Sequence, residues 1–214
     1  MSKKHSFRTE QEAFWAGDFG TDYINRNIGD DLLASNLAFF SKALGSARSV
    51  KTCVEFGANI GMNLKALKLL YPSMHIQGIE INLDAATRLA KSIGEENVIK
   101  GSILEVSPPE CDLALIKGVL IHIDPESLPL VYRKITAATR RYLLVAEYYN
   151  PAPVAINYRG HENRLYKRDF AGEIMDAHPE MTLIDYGFVY RHDPHFPQDD
   201  ITWFLLEKKN EVSV

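Results

Sequence analysis

The chain has 214 residues, of which 46% are apolar and 24% charged, with a formal net charge of −4 at pH 7. That length can bury a sizeable core in one domain, and the acidic balance argues against a protein built mainly to hold nucleic acid. No apolar run is long enough to predict a membrane span, and Met1-Ser2-Lys3-Lys4-His5 lacks the apolar segment of a signal peptide, so a cytoplasmic protein is expected.

From residue 30 the chain alternates helix and strand signals. Leu33, Leu37, Phe40 and Leu44 recur at helical spacing behind Asp30 and Asp31. Residues 50–56 read as a first strand, followed by a helix over 62–71 through Leu64, Leu67 and Leu70. A second strand spans 75–80. Asn82 then caps a helix carrying Ala86, Leu89 and Ile93, which Gly94 ends. Residues 98–100 form a short third strand, and 113–117 a fourth whose unbroken apolar character suits a parallel sheet buried on both faces. Asp124-Pro125-Glu126 is a helix start with cap, proline and first-turn acid. A fifth strand follows at 141–147, then a long polar and aromatic connection without regular structure, then a helix over 168–177. The end changes character: strands at 181–190 and 201–207 are joined only by the loop 192–200, so they must pair antiparallel. Cys53 and Cys111 fall in apolar strands and read as buried free thiols.

The stretch Val54-Glu55-Phe56-Gly57-Ala58-Asn59-Ile60-Gly61 carries the chemistry. An acid ending a strand, then two glycines at a helix start, suits a ligand with a carboxylate beside a positive charge, as in the amino-acid end of S-adenosylmethionine. Glu80 ends the next strand, where a carboxylate can take both hydroxyls of a ribose. A tight structural turn is the alternative for the glycines alone. An NAD site fits less well, because no G-x-G-x-x-G is present.

These residues, with Gly101-Ser102-Ile103, Cys111-Asp112-Leu113 and Lys117-Gly118-Val119-Leu120, resemble the class I S-adenosylmethionine-dependent methyltransferases over roughly residues 30–208. More narrowly, Phe14-Trp15-Ala16-Gly17-Asp18-Phe19-Gly20 with Tyr23 and Arg26-Asn27 resembles the methyltransferases associated with pseudaminic acid biosynthesis. So do Glu147-Tyr148-Tyr149-Asn150-Pro151, Lys167-Arg168-Asp169-Phe170 and Phe196-Pro197-Gln198-Asp199-Asp200. The resemblance implies an α/β fold: one seven-stranded Rossmann-like methyltransferase sheet, its last strand antiparallel, in three αβα layers. The domain would span residues 31–208, preceded by a segment 1–30 that can act as a lid through Trp15, Phe19 and Tyr23, and followed by a tail 209–214.

It also implies roles. Gly57, Asn59 and Gly61 would hold the methionine end, with Glu55 ordering its ammonium; Glu80 and Ile81 would meet the ribose, Ser102 and Ile103 the adenine, and Lys117 and Gly118 the sulfonium region. Asparagine tolerates the left-handed backbone that the middle of the loop needs. His122 is the first candidate for a base, or else a hydrogen-bonded wall residue, with Tyr148 and Tyr149 beside it. Asn150, Tyr158, Arg159, His161, Arg164 and Lys167 crowd the connection after the fifth strand, where cations outnumber acids, and with Asp199 they would receive a small acceptor, an anionic or nucleotide-linked sugar. His192, Asp193, His195, Asp199 and Asp200 favour a loop over a metal site, so no metal is expected. The enzyme read here transfers methyl to oxygen or nitrogen of such an acceptor. The alternatives are another metabolite, a macromolecule, or a cofactor-binding partner without catalysis.

Overall fold

A computed structural model describes residues 7–26 and 28–209; Asn27 of the opening motif and residues 210–214 of the expected tail lie outside the described residues. Seven strands form one sheet: β1 (Thr52–Phe56), β2 (His75–Glu80), β3 (Val98–Lys100), β4 (Cys111–Lys117), β5 (Thr139–Glu147), β8 (Met181–Val189) and β9 (Ile201–Lys208), in the order β3-β2-β1-β4-β5-β9-β8. The first five run parallel; β9 is antiparallel to β5 and to β8. A separate hairpin, β6 (Val154–Tyr158) with β7 (His161–Lys167), stands after β5.

Helices α3 (Asp30–Ala43), α4 (Met62–Leu70) and α5 (Leu83–Ile93) cover one face, and α6 (Leu128–Ala138) and α7 (Phe170–Ala177) the other. Alternate residues of each central strand feed the two cores: on β4, Ala114 and Ile116 pack under α6, while Leu113 and Leu115 pack under α3 and α4. Burial on both faces is why this strand reads as a continuous apolar run. Asn82 caps α5 by accepting from Asp84 and Ala85 backbone N–H groups, and Asp169 caps α7 through Gly172. The expected elements form, most with ends shifted by a residue or two; the exception is the helix expected at Asp124-Pro125-Glu126, where Pro125–Ser127 make a separate 3₁₀ turn without a side-chain cap from Asp124 and α6 begins at Leu128.

Two further features differ from expectation. The connection after β5 is not irregular: it carries the β6–β7 hairpin. Arg159 and Gly160 turn it with positive φ (52° and 84°) and Asn157 accepts from the Gly160 N–H, a turn that Asn-Tyr-Arg-Gly does not advertise as an Asn-Gly pair would. The leading segment, for which no element was expected, carries two short helices, α1 (Glu10–Ala16) and α2 (Asp18–Ile24), joined at Gly17. Thr9 and Glu12 close a capping box on α1.

The elbow between α1 and α2 demands a missing side chain at one place. A Cβ on Gly20 would lie 1.8 Å from the carbonyl oxygen of Trp15. Gly20→Ala is therefore expected to spring the elbow while leaving the sheet core intact. In a Trp203→Phe background, Trp15 emission should shift to the red with less than about 1 kcal/mol lost in global stability; an unmoved spectrum would show that the close approach does not hold the elbow.

Candidate active site

The carboxyl ends of the parallel strands open into a cavity of about 600 Å³, within the usual range for small-molecule sites. Its centre lies between β1 and β4, where strand order reverses, the crevice in which open α/β sheets bind ligands. The lining runs from Ser102 and Ile103 past Glu80, Ile81 and the glycine loop to Lys117, Gly118 and His122, and on to Gln198, Asp199 and Ile201.

The glycine loop takes its shape from left-handed backbone at Gly57 (φ 78°), Asn59 (φ 49°) and Gly61 (φ 87°). At Gly57 a Cβ would also come within 2.5 Å of Val119, so the turn after β1 and the turn after β4 touch through a missing side chain. Gly118 (φ 67°) has nothing within 4 Å of its would-be Cβ and presents bare backbone to the cavity.

Two buried carboxylates hold these turns. Glu80 accepts from the backbone N–H groups of Asn59 and Asn82, each at 2.7 Å, one to each oxygen. The Ile81 N–H acts on it as well, and with three donors for four lone pairs the carboxylate keeps some accepting capacity where it lines the cavity. Burial raises its pKa, and the backbone donors pull the other way. Glu147, at the end of β5, accepts from Val119 and Leu120 at 2.9 Å each and so fixes the 3₁₀ turn Leu120–His122. Burial pushes its pKa up to about 7 against those donors.

Glu55 departs from its expected role of meeting an ammonium directly. It is fully buried and lies outside the cavity lining, its Oε1 accepting from Asn63 Nδ2 at 2.6 Å. Burial pushes it up to about 8, opposed by Asn63 and by Lys117. Asn63, which does line the cavity, stands between Glu55 and any ligand. Lys117 is half-buried, its Nζ 5.5 Å from the Phe39 ring centre, and desolvation lowers its pKa despite Glu55, Asp199 and Glu147 nearby.

His122 is 7% exposed and lines the cavity, its ring 4.5 Å from Trp15 and 5.0 Å from Tyr158. Its Nδ1 lies 2.6 Å from the Arg164 carbonyl oxygen. A carbonyl only accepts, so Nδ1 carries the proton and Nε2 the lone pair. Burial pushes the imidazole down to about 4, with the Arg164 bond opposing, so the ring is neutral at pH 7. Neutral charge and that tautomer are the properties of a base rather than of a cation.

The other expected site residues divide. Arg159 and Asp199 line the cavity. Tyr148 is half-buried behind it, donating its hydroxyl to Asp199; burial, and then Asp199, raise its pKa, so it serves as a donor and not as a base. Tyr149 is placed away from the chemistry, 41% exposed and against Phe204 on the outer side of the sheet. Asn150 closes a turn onto the Ala152 carbonyl. His161 packs on Phe14 and Phe19, Arg164 pairs with Glu10 at 3.0 Å, and Lys167 lies over Tyr148. These last four are outside the lining; Tyr158 reaches it only through its ring contacts to His122 and Trp15. Long polar side chains after β5 looked like a binding surface, but three of them are used to pin α1 or to steady the hairpin against β5.

Several functional candidates escaped the sequence reading. Ser102 is engaged by Glu12, whose only advance signal is the Thr9-x-x-Glu12 capping spacing. Asn82 Nδ2 reaches the Trp15 carbonyl (3.3 Å) and Thr21 Oγ1 (3.1 Å), tying the elbow to the β2 end. Asn36 and Gln198, 162 positions apart, meet at 3.0 Å in the wall, and nothing local in either segment announces it. In the loop 192–200, Asp193 accepts from the His195 and Phe196 N–H groups, Asp200 pairs with Arg191, and no cluster of three or more metal-ligating side chains occurs among the described residues. Cys53 and Cys111 are buried free thiols. No helix among the described residues is long and apolar enough to cross a membrane.

No family model and no curated protein matches this sequence. Solved structures do match in fold. The 1,6-didemethyltoxoflavin-N1-methyltransferase of Burkholderia thailandensis, with 1,6-didemethyltoxoflavin and S-adenosylhomocysteine bound, superposes with a TM-score of 0.73 at 15% identity, covering 98% of this chain and 94% of that one. Magnesium protoporphyrin IX methyltransferase from Synechocystis PCC 6803, with S-adenosylmethionine bound, gives 0.67 at 12% identity, covering 95% and 100%. Mitomycin 7-O-methyltransferase gives 0.65 at 14% identity; the match covers 94% of this chain but 61% of that one. The chain therefore has the Rossmann-like fold of the class I methyltransferases, with the antiparallel last strand.

The buried acids make stability depend on pH. Glu55, near 8 when folded against an ordinary 4.5, keeps a proton that the unfolded chain has released, so its contribution is lost as pH rises through 8; Glu147 acts likewise toward 7. His122, lowered to about 4, acts oppositely, its contribution present above 6.5 and lost as pH falls toward 4. Between roughly pH 6.5 and 8.5 only the acids slope, so the urea midpoint is expected to fall across that window. Glu55→Gln should flatten the fall, and an equal fall in the variant would exclude Glu55 as its source.

Proposed function

We propose that this protein is an S-adenosylmethionine-dependent methyltransferase acting on an oxygen or nitrogen of a small acceptor, an anionic or nucleotide-linked sugar, with S-adenosylhomocysteine as product. The observation that carries the reading is the convergence of Glu80, the left-handed glycine loop and the bare backbone of Gly118 in one cavity at the strand-order switch. The residues fit the cofactor on chemical grounds. Asn59 Oδ1 and Trp15 Nε1, in residues that line the cavity, are buried with no partner among the described residues, and the space beside Gly118 is open. The resemblance to the pseudaminic acid-associated family, with Lys117, Arg159 and Arg191 in the lining, supports an anionic sugar acceptor. Two buried free thiols support a cytoplasmic setting.

When bound, the cofactor supplies a methyl group already activated on a sulfonium, so the protein's task is alignment and exclusion of water. The remaining accepting capacity of Glu80 meets the ribose hydroxyls. Asn59 Oδ1 and the backbone from Gly57 to Gly61 would take the amino-acid end, with Asn63 held in place by Glu55. Ile103 flanks the adenine beside Ser102. His122 Nε2 takes the proton of an acceptor hydroxyl as the bond to carbon forms, while Nδ1 stays bonded to Arg164 and the ring keeps its orientation. Helices α1 and α2 close the adenosine side as a lid, latched by Glu12 on Ser102, Asn82 on Trp15 and Thr21, and Arg164 on Glu10.

Thermal unfolding with S-adenosylhomocysteine, and separately with NAD, tests the reading. At about a hundred times its dissociation constant a native-state ligand adds about 2.7 kcal/mol, a shift of several degrees. A shift with S-adenosylhomocysteine alone is expected; a shift with NAD alone would overturn the reading. Glu80→Ala should weaken S-adenosylhomocysteine at least about tenfold, the worth of hydrogen bonds to a charged group. His122→Gln should lower turnover by about a hundredfold with cofactor affinity unchanged; full activity in that variant would remove the base.

A further inference from the structure

The cavity is longer than the cofactor assignment uses. Adenosine and the amino-acid end, placed as above, occupy the ends of β3, β2 and β1, but the lining continues past β4 and under β5 to Ile201 of β9. Two further strand spacings amount to roughly 10 Å of wall. Leu32 and Ile201 supply apolar surface there, and four polar residues converge from separate elements: Asn36 on α3, Lys117 at the end of β4, and Gln198 and Asp199 between β8 and β9.

Three observations show that these four are not merely satisfied core. Gln198, 8% exposed, donates Nε2 to Asn36 Oδ1, which leaves its Oε1 buried with no partner among the described residues. Lys117 rests on the Phe39 ring, and its ammonium has no hydrogen-bond or salt-bridge partner among the described residues. Asp199 takes the Tyr148 hydroxyl and keeps further lone pairs. An unsatisfied acceptor, an ammonium with donors to spare although Glu55, Asp199 and Glu147 act on it from a distance, and a carboxylate in one wall ask for a ligand that both donates and accepts. Hydroxyl groups do both, and a single anionic group answers the ammonium; a second would meet Asp199. The cofactor cannot be that partner through its positive groups, since a sulfonium or ammonium gains nothing beside Lys117.

We propose that Asn36, Lys117, Gln198 and Asp199 form the acceptor subsite, and that it takes a small polyhydroxylated molecule bearing one carboxylate or phosphate. The subsite rests on the methyltransferase reading and moves acceptor recognition from the β6–β7 hairpin, whose cations Arg164 and Lys167 are spent on Glu10 and Tyr148, to the opposite wall. Lys117 then selects the acceptor by charge, and Gln198 and Asp199 orient its hydroxyls.

The test is an amide-resolved NMR titration of S-adenosylhomocysteine-loaded protein with D-glucuronate, and in parallel with uncharged D-glucose. Glucuronate is expected to move the side-chain amides of Asn36 and Gln198 at a concentration at least fivefold below that at which glucose does. Lys117→Met should abolish that preference, and Gln198→Leu should weaken both sugars, each with S-adenosylhomocysteine affinity within threefold of wild type. Shifts confined to residues 158–166, or no shift at all, would overturn the subsite. So would a tenfold loss of S-adenosylhomocysteine affinity in Lys117→Met, which would give the ammonium to the cofactor's own carboxylate. If the wild type fails to bind S-adenosylhomocysteine, the methyltransferase reading falls, and the subsite with it.

Discussion

Everything at the carboxyl edge of the sheet hangs on carboxylates that are buried yet bonded to backbone. An ionised or even a neutral carboxyl group removed from water is costly unless donors meet it. Glu80 and Glu147 meet that cost with peptide N–H groups from the turns beside them: Asn59 and Asn82 for the one, Val119 and Leu120 for the other. Each acid thereby extends the hold that the sheet has on the first residues of its turn, where Gly57 and Ala58 donate to Ile79 and Gly118 donates to Ala146. Glu80 locks the glycine loop to the start of α5, and Glu147 locks the turn that presents His122. The two turns then press on each other where Val119 meets Gly57. A pre-shaped cleft results, and pre-shaping is what alignment-driven chemistry requires.

The second constraint is a division of labour among aromatic rings. Phe14, Trp15, Phe19, Tyr158 and His161 stack edge and face between the consecutive helices α1 and α2 and the β6–β7 hairpin, which is remote from them in sequence. Helices of seven residues are too short to be stable alone. Their order comes from these ring contacts and from the polar latches to Ser102 and Asn82. The same rings surround His122, so the group that holds its orientation also covers one side of the cavity. The opposite wall, between α3 and the β8–β9 loop, has no such cover and remains polar.

Sequence and structure agree where a local signal has one physical outcome. The α3 stripe, the Asn82 cap, the apolar run of β4 and the helix-free link between the last two strands each dictate their element, and together they leave little choice of topology. The glycine loop and Glu80 were legible for the same reason: positive φ and a strand-ending acid are local demands. The hairpin was not, because only Val154, Ile156 and Tyr158 alternate in it, the returning run His161–Lys167 is mostly polar, and the turn between them lacks an Asn-Gly pair. Nor were α1 and α2, whose stability lies in partners across the fold. Glu55 shows the limit within a motif: spacing placed it correctly at the end of β1, but only the packing of Asn63 over it decided that it would act from beneath the floor.

The sequence by itself determined the sheet, its crossover pattern and the glycine-loop half of the cleft, because periodicity, capping and turn chemistry act over a few residues. Only the tertiary structure decided which polar side chains face the cavity. Arg164 and Lys167 looked like ligands and proved to be fasteners, while Asn36 and Gln198 looked ordinary and proved to share a wall. A polar side chain carries no mark of its partner. Whether it meets a ligand or a neighbour depends on which surfaces the folded chain has already used.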